Sequence, residues 1–200
     1  MKRISAEVEP IYRGSAFYTY TIWPHVVAVS AYALEFARQM GVNQLVAKIG
    51  GLLHDLGAAK HGRENHHITG RQESMVVLLS CGCPKRFIGS ILSTIYSHRG
   101  SQKIAPKIPE AICVAAGDAK DHFVNVDELC LVQKRDFGIL DSQEIIKRVF
   151  EKLQTSWEKT PVQAKCLLIR DYQEARHKLL QIASGESEPS ERCKSAVLHV

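Results

Sequence analysis

Apolar residues recur at intervals of three and four positions along most of the chain, with polar residues between them. The first clear series comprises Val26, Val29, Ala33, Phe36, Ala37 and Met40. Its spacing predicts a helix over 25–40 with one buried face. Pro24 suits the first turn of this helix and Gly41 suits its end, because proline needs no N–H partner there and glycine adopts a left-handed backbone without strain.

A second series leads from Asn43, a favourable N-cap residue, to the doublet His54-Asp55. Its apolar positions become almost continuous toward the C-terminal end, which indicates a helix buried on most sides. The polar doublet therefore comes at the end of a helix inside the fold. Such a pair is either a hydrogen-bonded helix cap or part of a cation site, since an unpaired buried carboxylate is costly.

The rest of the pattern predicts a helical bundle. The polar segment 57–65 is expected to be a loop. Further helices are predicted, from the same spacing, at about 66–79, 85–98, 111–118, 142–153 and 161–182. The pattern beyond Asn125 is otherwise weak. We predict one all-α domain over 21–182, an N-terminal arm or short helix over 1–20, and a disordered tail over 183–200, where Gly, Ser, Glu and Pro dominate.

Length and composition agree with one globular domain. Two hundred residues, 45% of them hydrophobic, suffice to bury one sizeable core. The formal net charge of +5 is modest and no run of five basic residues occurs, so a nucleic-acid partner is not favoured. The N-terminus lacks a signal peptide and no apolar stretch has membrane-spanning length, which predicts a cytoplasmic protein without membrane association. A chain of this length needs no disulfide framework from its six cysteines.

The doublet His54-Asp55 offers one imidazole nitrogen and one carboxylate oxygen, which are too few ligands to close a metal site. Candidate partners in or beside predicted helices are His25, His66, His67, His98 and Asp118. A helical bundle can bring residues this far apart in sequence together. A donor set of imidazoles and carboxylates favours Mn, Fe, Co, Ni or Zn as the bound ion and does not exclude Mg. The lack of a cysteine ligand argues against a structural zinc.

Five ordered segments resemble the HD-domain family of metal-dependent phosphohydrolases, whose signature is a His, a His-Asp doublet and a distant Asp. They are Trp23-Pro24-His25-Val26-Val27, Gly51-Leu52-Leu53-His54-Asp55-Leu56-Gly57, Asn65-His66-His67-Ile68-Thr69-Gly70, Ile95-Tyr96-Ser97-His98-Arg99 and Ala116-Gly117-Asp118. The resemblance implies an all-α HD-domain helical bundle that holds one or two divalent metal ions. The implied metal ligands are His25, His54, Asp55, His66, His98 and Asp118, with His67 as the alternative to His66.

The resemblance also implies hydrolysis of a phosphomonoester, phosphodiester or nucleotide pyrophosphate by attack of metal-bound water. The substrate would be a phosphorylated small molecule or a nucleotide, and a homodimer is left open. The catalytic candidates are Asp55, Glu64 as acceptor of the water's proton, and Lys60 and Arg99 as cations beside the phosphate. The candidate substrate contacts are Arg63, His67, Lys120 and His122; Asp121 is a candidate to support a ligand or contact substrate.

Departures from the family pattern narrow this expectation. Many members have a Lys directly after the Gly of the His-Asp-x-Gly motif, whereas Ala58 holds that position here and Lys60 follows two residues later. Ala58-Ala59 replaces the acidic pair of guanosine-tetraphosphate hydrolases, and the Gly-Tyr-Pro signature of cyclic-di-guanylate phosphodiesterases is missing. Two alternatives to a phosphohydrolase are a non-catalytic sensor module that binds metal and nucleotide, and an iron-dependent oxygenase on the same scaffold. The presence of all six candidate ligands favours catalysis.

Overall fold

Ten helices make up the secondary structure of the residues that the computed structural model describes, which are 1–18, 22–98 and 104–185. The helices are α1 Lys2–Arg13, α2 Ile22–Gln39, α3 Gln44–Leu53, α4 Leu56–His61, α5 His66–Ser80, α6 Lys85–Ser97, α7 Pro109–Val124, α8 Val126–Arg135, α9 Ser142–Lys159 and α10 Val162–Ser184. No strand occurs within these ranges, and the prediction of an all-α fold is confirmed.

Close packing of α2, α3 and α7 forms the centre of the fold. It depends on glycines, because a Cβ atom on Gly51 of α3 would lie 2.9 Å from Ser30 Cα in α2. A Cβ atom on Gly117 of α7 would lie 3.0 Å from the carbonyl oxygen of Val29. The first approach is closer than Cβ atoms come in real structures and the second is closer than most, so these glycines let three helices come to backbone contact near the polar doublet.

Buried apolar side chains form two clusters around these central helices. One contains residues of α1, α3, α5 and α6, and the other contains residues of α7, α8, α9 and α10. The predicted N-terminal arm or short helix over 1–20, described as far as residue 18, contributes Ile4, Val8 and Tyr12 to the first cluster. Tyr12 donates a hydrogen bond from Oη to the carbonyl oxygen of Leu52 at 2.8 Å, which attaches α1 to the helix that precedes the doublet.

The loop predicted over 57–65 is wrong in its first half, because α4 occupies Leu56–His61. Leu56, Ala58 and Ala59 are buried there, and alanine is the best helix former. Ala58 and Ala59 are small and polar residues surround them, so this segment lacks the apolar spacing of three and four residues by which the other helices were predicted. Helix α8 was also not predicted; only Val126 and Cys130 are buried along it.

Other predicted helix boundaries are confirmed. Asn43 caps α3, since its Oδ1 accepts hydrogen bonds from the backbone N–H groups of Leu45 and Val46, both at 3.1 Å. Gly41, the second residue after the end of α2, has φ of +65°, in the left-handed region. Within the described ranges, no helix combines the length and apolar character needed to cross a lipid bilayer. The predicted tail lies almost entirely at 186–200, outside the described residues.

Candidate metal centre

Five helices direct histidine and aspartate side chains toward one point. His25 lies in the first turn of α2, and the doublet His54-Asp55 follows α3. His66 begins α5, His98 follows α6, and Asp118 lies within α7. Each histidine occupies a helix end, where backbone hydrogen-bonding groups remain free to orient its ring. The structure thus brings together all six side chains named from the sequence as metal ligands.

The first ligand group consists of His25, His54, Asp55 and Asp118. His25 Nε2 lies 3.3 Å from His54 Nε2 and 3.4 Å from Asp118 Oδ1. His54 Nε2 lies 3.5 Å from Asp55 Oδ2. These separations are those of ligand atoms around one cation, and His122 Nε2 extends the group at 3.6 Å from Asp118 Oδ1.

The second ligand group consists of Asp55, His66 and His98. The two imidazoles approach with their Nε2 atoms 3.0 Å apart. Asp55 Oδ1 lies 3.4 Å from His66 Nε2 and 3.6 Å from His98 Nε2. Asp55 therefore presents one carboxylate oxygen to each ligand group.

Main-chain carbonyl groups set the tautomer of three of these histidines. The Nδ1 atoms of His54, His66 and His98 hydrogen-bond to the carbonyl oxygens of Gly51, Arg63 and Ile95, each three residues earlier. A carbonyl oxygen only accepts, so each Nδ1 carries the hydrogen and donates it. The Nε2 atom of each neutral ring then keeps a lone pair that faces the cluster.

His25 is oriented by a carboxylate instead. Its Nδ1 donates to Asp121 Oδ2 at 2.7 Å, and Asn125 Nδ2 donates to the other oxygen of Asp121 at 2.7 Å. Burial favours the neutral ring, but the hydrogen bonds to Asp118 and Asp121 outweigh it and raise the pKa of His25 to about 10. Without a metal ion, His25 therefore holds a proton that a bound cation would displace.

Three further titratable groups of the centre, His54, Asp55 and Asp118, are held in the forms that suit metal binding. Burial lowers the pKa of His54 to about 4, so this ring is neutral near pH 7. Burial opposes ionisation of Asp55, but the adjacent His54 and His98 hold its pKa well below the ordinary value. In the same way, burial opposes ionisation of Asp118, while His122 and His25 hold its pKa low. Neutral imidazoles and ionised carboxylates are the protonation states that bind metals.

The donor geometry fits a divalent cation. His66 and His98 face each other through Nε2 lone pairs at 3.0 Å, an arrangement that is repulsive unless a positive charge lies between them. Nitrogen atoms about 2.1 Å from one ion are about 3.0 to 3.4 Å apart at octahedral to tetrahedral angles. The pairs His66–His98 and His25–His54 have these separations. The residues present therefore suit the metal that the resemblance implies.

A cavity of about 570 Å³ opens onto this centre. Asp55, His66, His98 and Asp118 line it on the metal side, and α8 and α9 contribute much of the remaining wall. Apolar contacts come from Ile22, Leu129, Val132 and Phe137. Positive charge comes from Arg63, Arg148, Lys152 and Lys159. The cavity therefore combines a floor of candidate metal ligands with a wall of apolar side chains, these four cations and the carboxylates of Glu128 and Glu151.

The structure separates four of the candidate catalytic and substrate-binding residues into two sets. Arg63 and His122 line the cavity, and His122 Nδ1 hydrogen-bonds with Ser156 Oγ at 3.0 Å. Lys60 instead pairs with Glu73, and Lys120 Nζ lies 3.5 Å from Glu35. These two cations point away from the cavity.

Three further sequence candidates do not line the cavity or cannot be placed. Glu64 is exposed between α4 and α5. His67 is turned the other way from His66 and packs against Tyr96, with ring centroids 5.4 Å apart. A helix turns about 100° per residue, so adjacent histidines cannot both face the centre. Arg99 lies outside the described residues.

Lys152 of α9 is a cavity residue that was not predicted. Burial lowers the pKa of its ammonium group to about 8. The sequence gives no indication of a site at this position. A lysine four residues before Ser156 on an amphipathic helix looks like an ordinary solvent-exposed residue. Only the packing of α9 beside α7 turns it toward the metal ligands.

Fold and donor set define the class of protein: an all-helical bundle whose core carries an aspartate- and histidine-rich centre suited to divalent metal ions. The family model described as HD domain matches residues 22–122. The chain belongs to the HD-domain family, which confirms the resemblance identified from the sequence. The match ends at His122, so α8, α9 and α10 lie beyond it.

Curated relatives with similar sequences are bacterial proteins named ribonuclease Y. The protein from Thermosipho melanesiensis is 33% identical over 104 residues, which are 51% of this chain and 18% of that protein. The proteins from Finegoldia magna and Thermotoga maritima are 36% and 33% identical over 111 residues, which are 54% of this chain and 19% of each. The chain thus spans less than a fifth of these relatives. No solved structure matches the chain.

Proposed function

We propose that the protein is a phosphohydrolase that uses two divalent metal ions to cleave a phosphorylated small molecule or a nucleotide. Asp55 supports this proposal most directly, because its two oxygens face different groups of imidazoles. A carboxylate shared between two ions holds them close enough to act on one phosphate. His25, His54 and Asp118 would hold one ion, and His66 and His98 the other.

A divalent ion bound there would polarise a phosphate oxygen and lower the pKa of a coordinated water molecule toward neutrality. The protein's own groups would prepare the site for this chemistry. Carbonyl groups and Asp121 orient the rings before substrate arrives, and Arg63 offers a guanidinium group to phosphate oxygens. Preorganised donors of this kind need no rearrangement as charge develops.

The cavity supports a small substrate. Its volume of about 570 Å³ lies in the range of sites for cofactors and drug-sized ligands. Tyr18 and Phe137 in its wall suit the flat face of a nucleobase, while Arg63 and Lys152 suit phosphate. Because the named relatives are ribonucleases, an RNA phosphodiester is the alternative substrate to be tested beside nucleotides.

The test is hydrolysis of a panel of phosphomonoesters, phosphodiesters, nucleoside polyphosphates and a short RNA, each with Mn, Fe, Co, Ni, Zn or Mg. We expect metal-dependent turnover of a small substrate, loss of turnover with a chelator, and background activity in Asp55→Asn. Asp171→Asn, on α10 outside the cavity, makes the same chemical change as a control.

Two results would overturn the proposal. Tight metal binding without turnover across the whole panel would indicate a non-catalytic sensor. Product formation that requires both iron and dioxygen, compared under aerobic and anaerobic conditions, would indicate an oxygenase.

A further inference from the structure

Helix α9 presents one polar face to the cavity. Arg148, Lys152, Thr155 and Lys159 line it at intervals of four, three and four residues, which places them on the same side of the helix. Leu153 and Val149, on another side, are fully buried in the hydrophobic cluster and hold α9 in place. The polar face is therefore fixed against the metal ligands by the packing of the helix that carries it.

Among the residues that the structure describes, Lys152 differs from several other lysines because no carboxylate pairs with its ammonium group. Lys60 pairs with Glu73, Lys120 with Glu35, and Lys178 with Asp127. Across residues 1–18, 22–98 and 104–185, the Lys152 ammonium group makes no hydrogen bond or ion pair, although the residue is partly buried. Burying a cation without a partner costs free energy, so the position is unfavourable unless an anion enters the cavity.

Two carboxylates act electrostatically on Lys152, but neither can serve as that partner. Asp118 and Asp55 are the carboxylates that favour the charge of Lys152, and both belong to the ligand groups. Their charge would be neutralised by metal ions, which leaves the ammonium group facing the interior of the cavity. A phosphate group of a substrate held at the metal centre is the anion that this arrangement lacks.

Residues 56–60, which follow the doublet directly, do not supply a cation to the cavity. Ala58 lines the cavity where a lysine occurs in many family members, and Lys60 lies away from it. We infer that Lys152 is a substrate-binding residue whose ammonium group contacts a non-bridging oxygen of the substrate phosphate. This inference rests on the proposed phosphohydrolase function and extends the site to a helix outside the HD-domain match.

Binding of inorganic phosphate to the manganese-loaded protein tests this role without turnover. We expect Lys152→Met to weaken phosphate binding, measured by calorimetry, roughly tenfold to a hundredfold, the loss of one hydrogen bond to a charged group. Lys152→Arg keeps the charge and should restore much of the affinity. Lys147→Met makes the same change at an exposed position of α9 outside the cavity and should leave the affinity unchanged.

Two further measurements separate binding from a structural role. Lys152→Met should leave Tm unchanged or raise it, because it removes an unpaired cation from a partly buried position. With a substrate from the panel, it should raise KM by a factor similar to that for phosphate and change kcat less.

Phosphate binding by Lys152→Met that is as tight as in the unmodified protein would overturn the inference, as would an unmodified protein that binds no phosphate. If the unmodified protein binds phosphate but hydrolyses nothing, the proposed function fails while the binding comparison still decides the role of Lys152.

Discussion

Gly57 of α4 lies directly against the backbone of Gly70 in α5: a Cβ atom at Gly57 would be 2.3 Å from the Gly70 nitrogen and 2.4 Å from the carbonyl oxygen of His66. No side chain fits at that distance. The contact holds the start of α5 next to the second residue after the doublet. It therefore sets how closely His66 approaches Asp55.

Gly57→Ala should destabilise the fold by about 1 to 3 kcal/mol, because backbone atoms must move to admit the methyl group. The free energy of urea unfolding measures this effect. Gly89→Ala in α6 is the control, since a Cβ atom there meets nothing within 4 Å. It should stabilise the protein by about 0.5 to 1 kcal/mol, as alanine in place of helical glycine does. Equal effects of the two substitutions would contradict the tight contact.

The two adjacent histidines should differ in metal binding. His66→Gln removes an Nε2 donor of the second ligand group, so the metal content by elemental analysis should fall from about two ions per chain to about one. His67→Gln should keep both ions, because His67 packs against Tyr96 instead of facing the centre. A loss of metal in His67→Gln alone would show that the other histidine is the ligand.

Asp121 should act on the metal through His25. Asp121→Asn weakens the hydrogen bond that orients the His25 ring, and loss of such a support typically lowers metal affinity about 10- to 100-fold. Titration with a competing metal indicator measures the change, and Asp171→Asn serves as the control of equal chemistry. Unchanged affinity in Asp121→Asn would mean that packing alone orients the ring.

The metal-free protein should lose stability as pH rises above 6.5. The pKa of His25 is about 10 in the folded chain against about 6.5 when unfolded, so between these values only the folded state keeps the proton. The stabilisation is complete below pH 6.5 and falls as pH rises. Lys152 opposes this trend above pH 8, because its pKa of about 8 lies below its unfolded value. The window from pH 6.5 to 8 therefore isolates His25.

Tm of the chelator-treated protein should fall by a few degrees across that window. His25→Gln should flatten the change, since it removes the titrating ring. Metal affinity should rise over the same range, because binding displaces the proton. A flat Tm profile for the unmodified metal-free protein would contradict the raised pKa of His25.

The order of chemical groups along the chain determined the family and the set of candidate ligands. Helices that carry His25 and the doublet follow from apolar spacing, because burial of one face every three or four residues is a local property. The family signature likewise needs only residue type and order. The choice between His66 and His67 stayed open at that level, since both stand in the first turn of one helix.

Tertiary packing decided which neighbouring groups share the centre. Lys60 was expected to contact the phosphate, but its ammonium group forms an ion pair with Glu73 of α5 outside the cavity. Lys152 carried no signal, yet the burial of Val149 and Leu153 turns its side of α9 toward Asp118. Sequence spacing describes one helix at a time, whereas charge pairing and cavity walls depend on contacts between helices that are distant in the chain. For that reason, the candidate ligands could be named from the sequence, while the cations that face them required the folded structure.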